Sequence, residues 1–190
     1  MYGIRSELVR KSIHFLIAFS PLMAVVNKPL TLLFLTAGIL SYVFMENLRL
    51  LGVKVPVVST LTTLSSRPQD TSGFVMGPVT LGFGALLALI LFPLPAATIA
   101  IYALAFGDGF ASLIGKIFGK TRPFFLFGKS IEGCLACFIA VFISAFAVSR
   151  SLHISLIAAS AATITEAIPL GNYDNLALPI IVGFIVMLMI

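Results

Sequence analysis

Long apolar runs separated by short polar patches organise the chain. Runs at 12–26, 30–45, 74–92, 96–113, 130–148, 154–168 and 176–190 are rich in Leu, Ile, Ala and Phe. Their apolar positions are continuous rather than alternating, which predicts helices and not the strands of a membrane barrel. Asn27-Lys28-Pro29, Pro93 with Pro95, Pro169 and the GNYDN at 171–175 punctuate the runs, because proline and small polar residues end or break helices. Several runs fall short of the roughly 20 residues that cross a bilayer unaided, so broken, tilted or re-entrant helices are expected. The longest polar connection, 46–73, ends in SSRPQDTSG.

Composition turns this pattern into a class. The 190 residues are 59% hydrophobic and only 10% charged, and mean hydropathy is +1.13. A soluble domain has no use for so much apolar surface. The expectation is an all-α, polytopic membrane helical bundle of about seven transmembrane helices. No polar stretch is long enough for a separate soluble unit, so residues 1–190 read as one membrane domain. Arg10 and Lys11 precede the first run as in a signal peptide, but 25–29 offers no small-x-small cleavage site, so that run reads as a retained span.

Charge adds a direction. With seven spans and the N-terminus in the cytoplasm, 10 of the 12 Lys and Arg fall inside, and only Lys28 and Arg150 fall outside. This is the positive-inside bias. It accounts for the net charge of +5 together with anionic lipid, and no nucleic-acid partner is expected. All seven acids (Glu7, Glu46, Asp70, Asp108, Glu132, Glu166 and Asp174) fall on that same side. The topology rule does not require this, and ionisable groups at membrane depth usually mark function. One polar active face opening to the cytoplasm is the expectation. Cys134 and Cys137 lie one helical turn apart within an apolar run, and read as packing residues rather than a redox or metal pair.

The stretch 107–133, GDGFASLIGKIFGKTRPFFLFGKSIEG, carries the candidate chemistry. Gly107 and Gly109 flank Asp108. Glycines there relax helix geometry and permit close approach, and the carboxylate suits a Mg²⁺ that is itself held by phosphates. Gly115 and Gly119 continue the small-residue pattern, as close helix packing or as a phosphate-facing surface. Within Gly128-Lys129-Ser130-Ile131-Glu132-Gly133, Ser130 is placed to cap a helix whose N–H groups face an anion. Lys129 supplies a point charge for phosphate, and Lys116 and Lys120 add to it. The spacing of a Walker-type phosphate loop is absent. Glu7, Arg10, Lys11 and His14 share one helical face, either as an interfacial anchor or as a charged wall of the active face. Glu46 and Arg49 repeat the three-residue spacing. Arg67 and Asp70 lie in the long connection, as a solvated linker or as a lid over substrate. Glu166 is an acid at membrane depth, and Asp174 with Asn175 frames the last inner turn.

The order of these motifs resembles the polyprenol kinase family, which groups dolichol kinase, phytol kinase and CTP-dependent diacylglycerol kinases. The matching pieces are ELVRKSIH (7–14), Arg67 with Gly77-Pro78 and LGFGALLALILFP (81–93), GDGFASLIGKIFGK (107–120), GKSIEG (128–133) and TEAIPLGNYDNLALP (165–179). The resemblance implies transfer of the γ-phosphate of CTP, or another nucleoside triphosphate, to the hydroxyl of a membrane lipid alcohol, most simply dolichol or a polyprenol. It implies Mg²⁺ at Asp108, and catalytic work by Asp108, Lys129, Glu132 and Glu166. Phosphate contacts would come from Arg10, Lys11, His14, Gly107, Gly109, Lys116, Lys120, Gly128, Ser130, Gly133, Asp174 and Asn175. Glu132, Glu166 and Asp174 stay open as the group that accepts the hydroxyl proton. A cytidylyltransferase forming a CDP-lipid is the rival of similar chemistry, although the signature residues of phosphatidate cytidylyltransferases are missing. A secondary transporter and a non-catalytic membrane subunit are rivals of other classes. Oligomeric state is not legible.

Overall fold

The computed structural model describes residues 2–53 and 73–190, and among them every regular element is helical. Lys54, Arg67 and Asp70 lie outside the described residues. Helix α1 covers Tyr2–Ile17 and α2 covers Phe19–Leu50, with Ala18 alone between them. Next come α3 (Gly77–Leu91) and α4 (Leu94–Tyr102), a π-helical turn at Ala103–Gly107, and α5 (Asp108–Ile117). After a 3-10 turn at Phe124–Leu126, α6 spans Ile131–Ser149, α7 Leu152–Ala167 and α8 Asp174–Met187.

Three helical stretches are long and apolar enough to cross a membrane: Ser6–Leu50, Leu94–Ile117 and Ile131–Ser149. Helices α3, α7 and α8 are apolar but shorter. The expected turn at 27–29 is compressed to one non-helical residue, Asn27 (φ −155°, ψ 95°). Its side chain accepts from Leu30 N–H at 3.0 Å, replacing a bond that Pro29 disrupts. Helix α2 also runs five residues beyond the expected end at 45, to Leu50. Charge at Glu46 does not stop it, because Arg49 and the Val75 N–H neutralise that carboxylate within the fold.

The stretch 94–117 is the pillar of the bundle. Ala96, Ala97, Ile99, Ala100, Ile101, Ala103, Leu104 and Ala105 are completely buried. Small residues let neighbouring backbones approach, which drives helix association where lipid removes the hydrophobic difference. By contrast, Leu33, Phe34, Leu40 and Phe44 on α2 are exposed, as lipid-facing side chains are. Glycines set the closest crossings. A Cβ on Gly84 would lie 2.2 Å from Asn175 O, and one on Gly183 would lie 2.3 Å from the Phe92 ring. Both contacts press α8 against the α3–α4 hairpin.

Candidate functional site

Asp108 opens α5 immediately after the π turn, and its N–H donates to Ala103 O, five residues back. The wide turn inserts an extra residue, which changes the direction of everything after it. Asp108 is buried. Lys11 Nζ donates to Asp108 Oδ2. His14 Nδ1 lies 3.0 Å from the same oxygen but off the line of a hydrogen bond. Ser112 Oγ donates to Oδ1 over a long 3.4 Å.

A missing side chain permits this contact. A Cβ on Gly109 would stand 2.7 Å from Phe15 Cε1. The Phe15 ring therefore lies directly on the α5 backbone, with ring centroids 6.1 Å from Phe106 and 5.2 Å from Phe110. Phe15 follows His14 and sits one turn after Lys11, so seating its ring carries both polar groups to Asp108. A second link joins the same two helices. Arg10 donates to one oxygen of Glu7, and Lys116 Nζ from α5 donates to the other. Glu7 is buried while Lys116 is 46% exposed, so the pair runs from the interior to the surface.

The other half of the cluster comes from the far end of the basic loop. Lys129 Nζ donates to Glu166 Oε1 near the end of α7. Burial works against the Lys129 ammonium, but the Glu166 carboxylate, with Asp108 and Asp174 behind it, more than offsets this and raises its pKa above the usual lysine range. Lys129 is held in place by the start of α6. Ser130 caps that helix, its Oγ accepting from Gly133 N–H at 3.1 Å. A Cβ on Gly133 would lie 2.8 Å from Ala111 O, and one on Gly119 would lie 2.1 Å from Gly115 O. Gly107 packs against Val141 and Cys137 in the same way. Of the two readings of the small-residue pattern, close packing describes Gly107, Gly109, Gly115, Gly119 and Gly133. Gly128 is different: its φ of +89° turns the loop, and its surroundings are open.

Glu132, Lys120 and Asn175 sit apart from the Asp108–Glu166 cluster. Glu132 accepts from the backbone N–H groups of Lys120 and Thr121 at 3.2 and 3.1 Å, where it anchors the loop. Lys120 is exposed. Asn175 faces α3, its Nδ2 donating to Thr80 Oγ1 at 3.0 Å and to Gly77 O at 3.3 Å. That contact joins the Gly77-Pro78 and DNLALP segments. Asp174 Oδ1 accepts from the Asn175 N–H.

The cluster leaves polar capacity open. Arg10 Nε, His14 Nδ1 and Glu166 Oε2 are buried without a hydrogen-bond partner among the described residues. Such atoms are rare in native structures, and each needs an explanation. A metal cage is not that explanation. Among the described residues no three His, Cys, Asp or Glu side chains converge as metal ligands, and Lys11 occupies an Asp108 oxygen. The donor set does not fit a resident Mg²⁺.

Over 188 aligned residues the chain is 32% identical to the uncharacterized protein MJ1137 of Methanocaldococcus jannaschii, covering 95% of this chain and 92% of the other. The chain belongs to that protein's family. No protein-family model matches it, and neither does any solved structure. The kinship extends over almost the whole length of both members.

The sequence did not mark every member of the cluster. Glu7 was visible on the α1 face, but its partner Lys116 lies 109 positions away, and no local spacing signals that pair. Phe15 and Thr80 gave no signal at all. Each matters because a glycine or an amide on a distant helix meets it.

Proposed function

We propose that this chain is a multi-pass membrane phosphotransferase of the polyprenol kinase type. It moves the γ-phosphoryl group of a nucleoside triphosphate, CTP in the first instance, to the hydroxyl of a membrane lipid alcohol. In this reading it crosses the membrane seven times, with its N-terminus and its polar end in the cytoplasm. One observation carries the reading: Lys11, His14, Asp108, Lys129 and Glu166 converge from four separate parts of an apolar chain, and buried polar atoms are left over for a ligand.

The chemistry follows from charge. Arg10, Lys11, Lys116 and Lys129 each donate to a carboxylate in the resting cluster. Lys116 and Lys129 are the more exposed pair, so an arriving triphosphate meets them first and competes with Glu7 and Glu166. Lys129 passing to phosphate oxygen releases the Glu166 carboxylate. Glu166 then accepts the proton of the lipid hydroxyl as its oxygen forms the new bond to the γ-phosphorus. The bond to the β-bridging oxygen breaks, and the nucleoside diphosphate leaves. Of the three acids left open by the sequence, Glu166 suits this role best, since Glu132 holds loop backbone and Asp174 abuts its own helix start. Lys11 keeps Asp108 oriented. Catalysis of this kind is mostly positioning and charge stabilisation. Any Mg²⁺ arrives with the nucleotide, as part of the substrate.

Purified protein, a polyprenol and labelled CTP test the proposal. Label from the γ-position on the lipid, with CDP released, is the expected result. Label from the α-position, with pyrophosphate released, would establish the cytidylyltransferase instead. Asp108→Ala and Lys129→Ala should each abolish transfer in protein that is still inserted, and near-normal activity in both variants would remove the site.

A further inference from the structure

The loop between α5 and α6 presents an unusual surface. Phe124 is 98% exposed, Phe125 69% and Phe127 68%. Three neighbouring aromatic rings so far out of the fold are not a solvated loop's composition. The loop joins the two stretches Leu94–Ile117 and Ile131–Ser149, both long and apolar enough to cross a membrane; crossing by both would put it at a membrane surface.

Its backbone is closed on itself. Leu126 N–H donates to Pro123 O, Phe127 N–H to Phe124 O, Lys129 N–H to Leu126 O, and Ile131 N–H to Thr121 O. The Lys120 and Thr121 N–H groups reach Glu132. Arg122 donates to Gly115 O at 2.9 Å and to Gly128 O. Phe127 (φ 49°) and Gly128 (φ 89°) complete the reversal in left-handed conformation, a strain a phenylalanine rarely bears. Polar backbone near lipid is best satisfied internally, and these bonds satisfy a good part of the loop's own backbone. Its charge fits as well. Lys120 and Arg122 have no carboxylate partner among the described residues, and anionic headgroups attract such cations.

We infer that the 123–127 loop is an interfacial wedge: Phe124, Phe125 and Phe127 insert at the headgroup–acyl boundary of an anionic leaflet, with Lys120 and Arg122 on its phosphates. The inference rests on the two flanking spans and not on any catalytic activity. Inserted beside Lys129, the wedge fixes the level at which a lipid headgroup meets the polar cluster.

The chain contains no tryptophan, so Phe124→Trp gives a single tryptophan that can be excited selectively over the tyrosines. In proteoliposomes containing phosphatidylglycerol, its emission should be blue-shifted and shielded from aqueous iodide. Bromine placed near the headgroup end of the acyl chains should quench it about twofold more than bromine at the chain ends, as expected for a residue roughly 5–10 Å deep. Ile143→Trp, on the exposed face of α6, should show the opposite depth preference and confirms insertion of the preparation. Water-like emission with free iodide quenching at position 124 would overturn the inference. So would iodide shielding without bromine quenching, which would point to a second copy of the chain covering the loop.

Discussion

Two buried carboxylates, Glu46 and Glu166, stand in opposite conditions. Glu46 is wholly buried. Its Oε1 accepts from Arg49 Nη2 at 2.8 Å and from Val75 N–H at 2.9 Å, and its Oε2 accepts from Arg49 Nε at 2.8 Å. Arg49 also donates to Gly73 O at 3.0 Å, and Tyr42 donates to Val75 O nearby. Every oxygen of Glu46 is used, and the result clasps 73–75 to α2. Glu166 is almost as deeply buried, yet one of its oxygens has no partner among the described residues, and its lysine is 38% exposed. A satisfied buried network fixes structure, whereas an incompletely satisfied one holds capacity in reserve. The first acid reads as architecture and the second as chemistry.

Substitution should separate the two, beginning with the largest loss of stability. Glu46→Ala leaves the part-exposed Arg49 guanidinium and the Val75 N–H without their carboxylate. Three hydrogen bonds to a buried carboxylate are lost, each worth about 1.5–3 kcal/mol, so thermal unfolding in detergent should show a large drop in Tm. A small drop would mean that the clasp is not structural. Next comes Gly109→Ala, whose new methyl group meets the Phe15 ring. Overpacking of this kind costs about 1–3 kcal/mol. It should also reduce lipid phosphorylation, because α1 carries Lys11 and His14 with it. Phe15→Leu in the same chain should restore both, and rescue of stability without rescue of activity would uncouple the packing from the site.

The smallest change in stability is expected for Glu166→Gln. One oxygen has no bond to lose and Lys129 can turn to water, so unfolding should shift by less than about 1 kcal/mol. Activity should nevertheless fall by about 10²–10⁴-fold, the usual weight of a positioned proton acceptor. Full activity in that variant would return the choice of base to Asp174 or Glu132.

The helices were largely legible because lipid-facing sequence leaves little ambiguity. Pro93, Pro169 and the N-cap Ser130 mark boundaries that the structure keeps within two or three residues. Helix α2 was harder, since Glu46 looked like a polar terminus when Arg49, one turn on, neutralises its charge and the distant Val75 N–H completes its hydrogen bonding. Glycine patterns are ambiguous in sequence for a physical reason. Absence of a side chain serves a ligand and a neighbouring helix equally well, and only the position of the neighbour decides. Glu132 is ambiguous for a similar reason, because a first-turn acid can turn to loop amides as readily as to a substrate. The pairings Lys129–Glu166 and Glu7–Lys116 depend on tertiary approach, which no local period encodes.

The π turn at Ala103–Gly107 makes the pillar behave like a shaft with a keyed coupling. Each residue of α-helix advances the chain by about 100°, so deleting one residue there would rotate Asp108 and all of α5 by that angle while α4 stayed seated. The tightly packed half of this stretch and the half that carries Asp108 are thereby set separately. Sequence drift in the packing around 94–102 need not be transmitted to the orientation of Asp108.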